Sequence, residues 1–144
     1  MPSLFDVNVL LAICHADHKH HGNAIQWLND IETRAEIVIC RVSQLGLLRL
    51  LNTPAVMLGQ PRDVSGAWGD YDKLLFDQRF VFLNEPYQMD IIWRRMMPTR
   101  LISPKLWQDA YLAAFAMAAE LQFVTFDRGF RQFTGLNLLI LGDD

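Results

Sequence analysis

The sequence has 144 residues, of which 51% are hydrophobic and 20% are charged, and its formal net charge at pH 7 is −3. This length and composition predict a single packed domain over residues 1–144 and exclude a disordered chain. The weak negative charge argues against a protein that coats nucleic acid by bulk attraction, although a bound cation can reverse the sign of an acidic pocket. We find no apolar stretch that would span a membrane and no basic leader with a cleavage site, so we expect a cytoplasmic protein.

Short apolar runs alternate along the chain with stretches of helical periodicity, which is typical of βαβ units around a parallel sheet. The pattern predicts strands over residues 3–5, 37–40, 80–83, 123–126 and 138–141. It predicts helices over residues 7–14, 24–31, 43–51, 68–75, 87–96 and 104–121. The last helix is expected to start with Ser103 as its N-cap and Pro104 at its first position. These elements predict an α/β fold with three layers, α/β/α, around a central parallel sheet of about five strands.

Two aspartates come directly after predicted strands. Asp6 follows the first strand and Asp127 follows the fourth. Ligands of open parallel sheets bind beyond the carboxyl ends of the strands, at the point where the strand order reverses. The two carboxylates meet there if the first and fourth strands are neighbours. An aspartate after a strand is also a common helix N-cap, and the sequence leaves both interpretations open.

A third aspartate, Asp109, lies on the predicted helix 104–121 in an unusual setting. Its neighbours on the same helix face, at −3, +3, +4 and +7, are all apolar: Leu106, Leu112, Ala113 and Ala116. Asp109 is therefore expected to point toward the core, where an ionised carboxylate needs a partner such as a metal ion or an arginine. Three crowded carboxylates repel one another unless a divalent cation neutralises them, and such oxygen ligands favour Mg²⁺ or Mn²⁺.

Three blocks of the sequence, in chain order, resemble PIN-domain ribonucleases of the VapC toxin family: LFDVNVLLAICHADHKHHGNAIQWL, RVSQLGLLRLLNTP and SPKLWQDAYLAAFAMAAELQFVTFDRGF. Each block is loosely defined, and the specificity comes from finding all three in family order. The resemblance implies a PIN-like fold and a Mg²⁺- or Mn²⁺-dependent endoribonuclease that cuts RNA phosphodiester bonds. It also implies a homodimer that a cognate VapB antitoxin inhibits.

The resemblance also assigns residues to the site. By position, Asp6, Asp109 and Asp127 match three acidic residues of the family, expected as metal ligands and catalytic groups. Asn8 matches a polar position beside the first acid, and Thr125 matches a small hydroxyl position before the last one. The resemblance implies substrate-positioning roles for Asn8, Thr125 and Ser43, and a catalytic role for Gln44. A metal held by the three acids would orient and activate a water at the scissile phosphate.

One position departs from the family pattern. A glutamate commonly follows the Ser or Thr at the start of the third helix, but here Ser43 is followed by Gln44. Glutamine keeps a carbonyl oxygen that can position a metal or a water, but it has no charge and cannot act as a base, which puts a second metal in doubt. Glu85, just beyond the third strand, is a candidate substitute. Arg128 is a candidate phosphate contact, with a solvated surface role as its alternative.

Other interpretations remain open from the sequence. Gln44 is compatible with a degenerate PIN domain that binds RNA or a protein partner without cleavage. A different doubly wound protein that binds a phosphate ligand is a further alternative, but no glycine-rich loop follows the first strand. The histidines of HADHKHH suggest a zinc site, although their place in a polar connection favours a solvated loop.

Overall fold

The computed structural model describes residues 1–100 and 103–142. Over these residues the chain forms five strands, six α-helices and one 3₁₀ helix. In chain order the elements are β1 (Ser3–Phe5), α1 (Val7–Cys14), α2 (His21–Asn29), β2 (Ile37–Ile39), α3 (Arg41–Leu51), α4 (Val64–Phe76), β3 (Phe80–Phe82), α5 (Met89–Met96), α6 (Leu106–Ala118), β4 (Gln122–Thr125), the 3₁₀ helix (Arg128–Gln132) and β5 (Leu138–Ile140).

The five strands form one parallel sheet in the order β3-β2-β1-β4-β5. The chain winds outward from β1 through β2 to β3, and then returns to the other side of β1 to add β4 and β5. Phe5 pairs with Val124, so the residues that follow β1 and β4 emerge side by side. The expected neighbours are confirmed, and the strand order reverses between them.

Alternate residues of the strands face two different helical layers. Phe5 belongs to a cluster built with α1, α3 and α4, whereas Leu4 belongs to a second cluster built mainly with α6. This alternation follows from the two-residue period of a strand, and burial on both faces explains why the strands are continuously apolar. The predicted three-layer α/β/α fold is confirmed.

The start of α6 differs from the prediction. Ser103 is not an N-cap: the helix begins at Leu106, and no side chain caps it at Lys105. The backbone carbonyls of Ser103, Pro104 and Lys105 instead accept bonds from N–H groups three residues later, at 3.0–3.2 Å. A 3₁₀-type turn therefore satisfies the free N–H groups that a serine hydroxyl would otherwise bind.

Two other helix boundaries were wrong by several residues. α6 ends at Ala118 rather than near 121, because Glu120 takes a left-handed conformation with φ of 56° and the Leu121 N–H bonds back to the Ala116 carbonyl. α4 begins at Val64 rather than at residue 68, because the Asp63 carboxylate caps the Gly66 N–H at 2.7 Å.

The remaining predicted elements are present, with ends shifted by up to three residues. The extent of the domain, 1–144, stays a prediction. Within residues 1–100 and 103–142, no helix is both long enough and apolar enough to cross a bilayer.

Candidate active site

A cavity of about 390 Å³ lies where the strand order reverses, at the carboxyl ends of β1 and β4. Three carboxylates from different elements line it: Asp6 follows β1, Asp127 follows β4, and Asp109 lies in the first turn of α6. Asn8, at the start of α1, also lines the cavity. The structure thus brings together the three acids and one of the polar residues that the sequence singled out.

Asp6 is the most buried of the acids, with 8% of its surface exposed. One carboxylate oxygen accepts from the Val7 N–H and the other accepts from the Thr125 hydroxyl, both at 2.7 Å. Burial raises the pKa of Asp6 to about 6, although these two donors act in the opposite direction, and the charges of Asp109 and Asp127 raise it further. The ionised form of Asp6 therefore stands to gain from a nearby cation.

Thr125 connects the residues that follow the two central strands. Its hydroxyl is completely buried, donates to Asp6 and accepts from the Asp127 N–H at 2.9 Å. The Asn8 side chain lies 3.4 Å from the same hydroxyl and accepts from the Phe126 N–H, also at 3.4 Å. Thr125 therefore contacts both acids directly, and Asn8 contacts Thr125 and the backbone just before Asp127.

Asp109 and Asp127 share one lysine. The Lys105 ammonium lies 3.1 Å from an Asp127 oxygen and 3.7 Å from an Asp109 oxygen. The Asp109 carboxylate has the predicted need for a partner, but that partner is a lysine one turn earlier rather than an arginine. Burial raises the pKa of Asp109, and Lys105 opposes that shift.

Asp127 combines two roles that the sequence left as alternatives. Its carboxylate caps the 3₁₀ helix by accepting from the Gly129 N–H at 2.8 Å, and it also lines the cavity. Burial raises its pKa, but the Gly129 N–H and Lys105 outweigh that effect, so the pKa of Asp127 lies below its usual value. Asp6 likewise caps α1 while facing the cavity. A capping role and a place in the site are therefore compatible.

Four other predicted residues do not line the cavity: Ser43, Gln44, Glu85 and Arg128. Ser43 is fully buried and donates to the Phe5 carbonyl at 3.4 Å. Gln44 is 7% exposed, and its side-chain carbonyl accepts from Arg41. Glu85 accepts from the Tyr111 hydroxyl at 2.9 Å, so it does not replace the missing acid at the cavity. Arg128 is exposed on the 3₁₀ helix.

Sequence reasoning missed two cations that line the cavity, Lys105 and Arg49. The four-residue spacing between Lys105 and Asp109 is a signal that could have identified the first, because residues so spaced are neighbours on a helix. Arg49 lies on the exposed side of α3, and within residues 1–100 and 103–142 its guanidinium forms no ion pair. No local sequence pattern points to it.

The donor set of the cavity fits a hard divalent cation. Three carboxylates supply oxygen ligands, and the Lys105 ammonium between two of them shows that a positive charge is accommodated there. Among the described residues, no three His, Cys, Asp or Glu side chains converge as a ready metal cluster. Asp109 and Asp127 are turned toward Lys105, so their carboxylates would have to reorient to share a metal with Asp6.

The histidine-rich segment is not simply a solvated loop. His15 is 9% exposed, and its Nε2 atom is buried without a hydrogen-bond partner. His21 opens α2, with its Nδ1 atom 2.6 Å from the Ala12 carbonyl oxygen, and the His20 ring stacks on Phe126 at 4.3 Å. The histidines contact the backbone and aromatic rings, and they form no metal cluster in the part of the chain that the structure describes.

A parallel α/β/α sheet with an acidic cavity where its strand order reverses is the architecture expected of a PIN domain. The sequence profile of the PIN domain matches residues 3–136, and the chain belongs to this family. The chain is 37% identical over 142 residues to ribonuclease VapC41 of Mycobacterium tuberculosis, with 96% of this chain and 97% of that protein covered.

Solved structures agree on the fold. VapBC2 from Rickettsia felis, bound to a DNA fragment from its promoter, contains a chain with a TM-score of 0.68 and 14% identity, covering 98% of this chain and 99% of that one. VapC20 of Mycobacterium tuberculosis, a toxin that cleaves the sarcin–ricin loop, gives a TM-score of 0.66 and 15% identity, covering 94% of this chain and 97% of that one.

Proposed function

We propose that this protein is a divalent-metal-dependent endoribonuclease and the toxin of a VapBC-type toxin–antitoxin pair. The observation that carries the proposal is that Asp6, Asp109 and Asp127 line one cavity at the reversal of the strand order. The relationship to a VapC ribonuclease along nearly the whole chain supports RNA as the substrate. The alternative of a different doubly wound protein that binds a phosphate ligand is excluded because the chain belongs to the PIN-domain family.

Asp6, Asp109 and Asp127 would hold the cation, Mg²⁺ or Mn²⁺. When bound, it supplies concentrated positive charge that stabilises the charge developing on a phosphodiester during hydrolysis. Thr125 and Asn8 keep the Asp6 carboxylate and the loop of Asp127 in place through their hydrogen bonds. These two residues therefore position the acids rather than act on the substrate.

Arg49 is the best candidate for holding an RNA phosphate. It lies on α3 and lines the same cavity as the three acids. Within the described residues it forms no ion pair that would compete with a phosphate for its guanidinium. A guanidinium can bind two phosphate oxygens at once. Arg128, the phosphate contact suggested by the sequence, is a weaker candidate because it does not line the cavity.

Gln44 and Ser43 contribute through the packing of α3 in this proposal. Gln44 holds Arg41, and Ser43 ties the start of α3 to the end of β1. Neither residue needs to touch RNA for the three acids to act. The catalytic and substrate-positioning roles suggested for them by the resemblance are therefore the least supported of the assignments.

The partner proposed for the toxin is a VapB-type antitoxin. A chain of the VapBC2 complex from Rickettsia felis has a similar fold, and this similarity supports a VapB-type partner. We also propose a homodimer, which light scattering of the purified protein would test directly. Inspection of the adjoining genes tests the partner: we expect a small upstream reading frame, and co-expression with it should yield a complex that loses ribonuclease activity.

The decisive experiment measures cleavage of a structured RNA with Mn²⁺ and with EDTA, in the parent and in Asp109→Asn. We expect cleavage only with metal, and a loss of at least about 100-fold in the variant, because even residues behind the ligands of a metal commonly cost 10–100-fold. Asp90→Asn is the matched control, since Asp90 is an exposed acid that pairs with Arg94 on α5 away from the cavity.

Two results would contradict the proposal. Cleavage that persists in EDTA, or that is unchanged in Asp109→Asn, would remove the metal site from the mechanism. RNA binding without cleavage, together with no Mn²⁺ binding by calorimetry, would establish the degenerate PIN domain instead.

A further inference from the structure

Lys105 occupies an unusual place in the candidate active site. Its ammonium bridges Asp109 and Asp127, at 3.7 Å and 3.1 Å, while 67% of its side chain remains exposed. The two acids are much less exposed, at 16% and 32%. One solvated cation thus pairs with two of the three carboxylates that line the cavity, and Asp6 is left with hydrogen bonds alone.

The helix itself gives no reason for a lysine at this position. Lys105 is the N-cap of α6, and its side chain caps no N–H group. A positive charge at a helix N-terminus opposes the helix dipole, so it is unfavourable for the helix. The N–H groups of the first turn are already satisfied by backbone carbonyls of residues 103–105. The favourable interactions of this ammonium are therefore with the cavity acids.

From this geometry we infer that Lys105 is a built-in counter-ion that competes with the divalent cation for Asp109 and Asp127. The inference rests on the proposed function, because it takes the three acids to be the metal ligands. In the metal-free protein the ammonium pairs with both acids and offsets one of their two charges. A divalent cation has to displace it before both carboxylates can turn to Asp6.

The displacement is easy in physical terms. Ion pairs with a solvated ammonium contribute little free energy, and the lysine stem is long and flexible enough to move into water. The backbone of residues 103–105 need not move, because its hydrogen bonds to the first turn of α6 do not involve the Lys105 side chain. The competition therefore weakens metal binding modestly without blocking it.

The test is a calorimetric titration of the purified, metal-free chain with MnCl₂ alone. Lys105→Met should bind Mn²⁺ about five-fold more tightly than the parent, the combined worth of two exposed ion pairs. Lys105→Arg keeps the charge and should bind as the parent does. Lys73→Met removes a lysine that lines a different cavity, and it controls for net charge alone.

A second readout does not depend on activity or on the calorimetric fit. Saturation with a ligand raises the melting temperature by an amount that grows as its dissociation constant falls. At one fixed Mn²⁺ concentration, the rise in melting temperature should be larger for Lys105→Met than for the parent, for Lys105→Arg and for Lys73→Met.

The outcomes separate this inference from the proposed function. Equal Mn²⁺ affinity in Lys105→Met and the parent, or weaker affinity in the variant, would overturn the competition and leave the metal site standing. An equal gain in Mn²⁺ affinity in Lys73→Met would also overturn it, because the effect would then come from the net charge of the protein and not from Lys105 at the cavity. An absence of Mn²⁺ binding in every variant would overturn the proposed function itself.

Discussion

The two edges of the parallel sheet use charged residues in opposite ways. At the amino edge, Arg79 precedes β3, pairs with Asp77 at 2.6 Å and donates to the carbonyls of Leu28 and Ile31 at 2.6 Å and 3.0 Å. The hydrogen bonds from Arg79 hold the pKa of Asp77 below its usual value. At the carboxyl edge, two of the three acids share one exposed lysine, and Asp6 forms hydrogen bonds alone.

Under the proposed function, the amino edge serves stability and the carboxyl edge serves binding. At the amino edge, Arg79 is matched by Asp77 and connects the start of β3 to the end of α2 and the residues after it. The charges of the carboxyl edge are in excess. The pKa of Asp6 is raised there, mainly by burial and to a smaller extent by the charges of Asp109 and Asp127. An excess of charge of one sign lowers the stability of the folded protein. Such an excess is typical of a site that binds a ligand of opposite charge.

Asp6→Asn should give the largest effect. It should lower the cleavage activity and raise the stability of the metal-free protein. We expect a loss of cleavage of at least about 100-fold, together with a gain in the free energy of unfolding of the metal-free protein on the order of 2 kcal/mol at pH 8. The gain arises because the variant no longer buries an ionised carboxylate. Cleavage assays and urea denaturation measure the two effects.

The stability gain in Asp6→Asn should depend on pH in a defined direction. The folded protein holds the Asp6 proton more tightly than the unfolded chain does, since the pKa rises from 3.8 to about 6. The stability of the metal-free parent therefore falls as the pH rises from about 4 to above 6, and the advantage of the variant grows over the same range. An advantage that is constant from pH 4 to pH 8 would contradict the burial of the charged form.

Arg79→Met should show the reverse behaviour at the other edge. Removing the guanidinium takes hydrogen bonds away from the Asp77 carboxylate and from the Leu28 and Ile31 carbonyls, which should lower the free energy of unfolding by about 2 kcal/mol. Cleavage per folded molecule should stay at the parental level. A selective loss of cleavage at full stability would show that the two edges are not functionally separate.

Arg49→Met should weaken RNA binding by about ten-fold, the worth of one charge-assisted contact to a phosphate. The slope of log affinity against log salt concentration should also fall by about one, as expected for the loss of one phosphate contact, while Mn²⁺ affinity is unchanged. Arg128→Met is the matched control, because it removes the same charge outside the cavity. Filter binding at several salt concentrations measures both variants, and equal losses would assign the phosphate contact to neither residue.

Gln44→Glu should give the smallest effect. Its side-chain carbonyl already accepts from Arg41 and does not line the cavity, so a carboxylate there should pair with that arginine. We expect Mn²⁺ affinity and cleavage to stay within about two-fold of the parent. A marked tightening of metal binding would instead place residue 44 among the ligands and support a second metal.

Much of the fold could be predicted because its signals are local. The alternation of apolar runs predicted the five strands and six helices, and the placement of Asp6 and Asp127 after strands pointed to the edge where they meet. The beginning of α6 was missed because backbone carbonyls, and not Ser103, satisfy its first N–H groups. Such a choice between equivalent hydrogen-bond partners leaves no mark on the sequence.

The candidate site divides in the same way. The sequence by itself determined which acids are candidates, since strand ends and an apolar helix face are local patterns that identify Asp6, Asp127 and Asp109. Only the tertiary structure decided what surrounds them: Lys105 between two of the acids, Arg49 on the facing helix, and Gln44 turned to Arg41. These contacts depend on the packing of α3 and α6 around the sheet and on side-chain directions, which local periodicity does not specify.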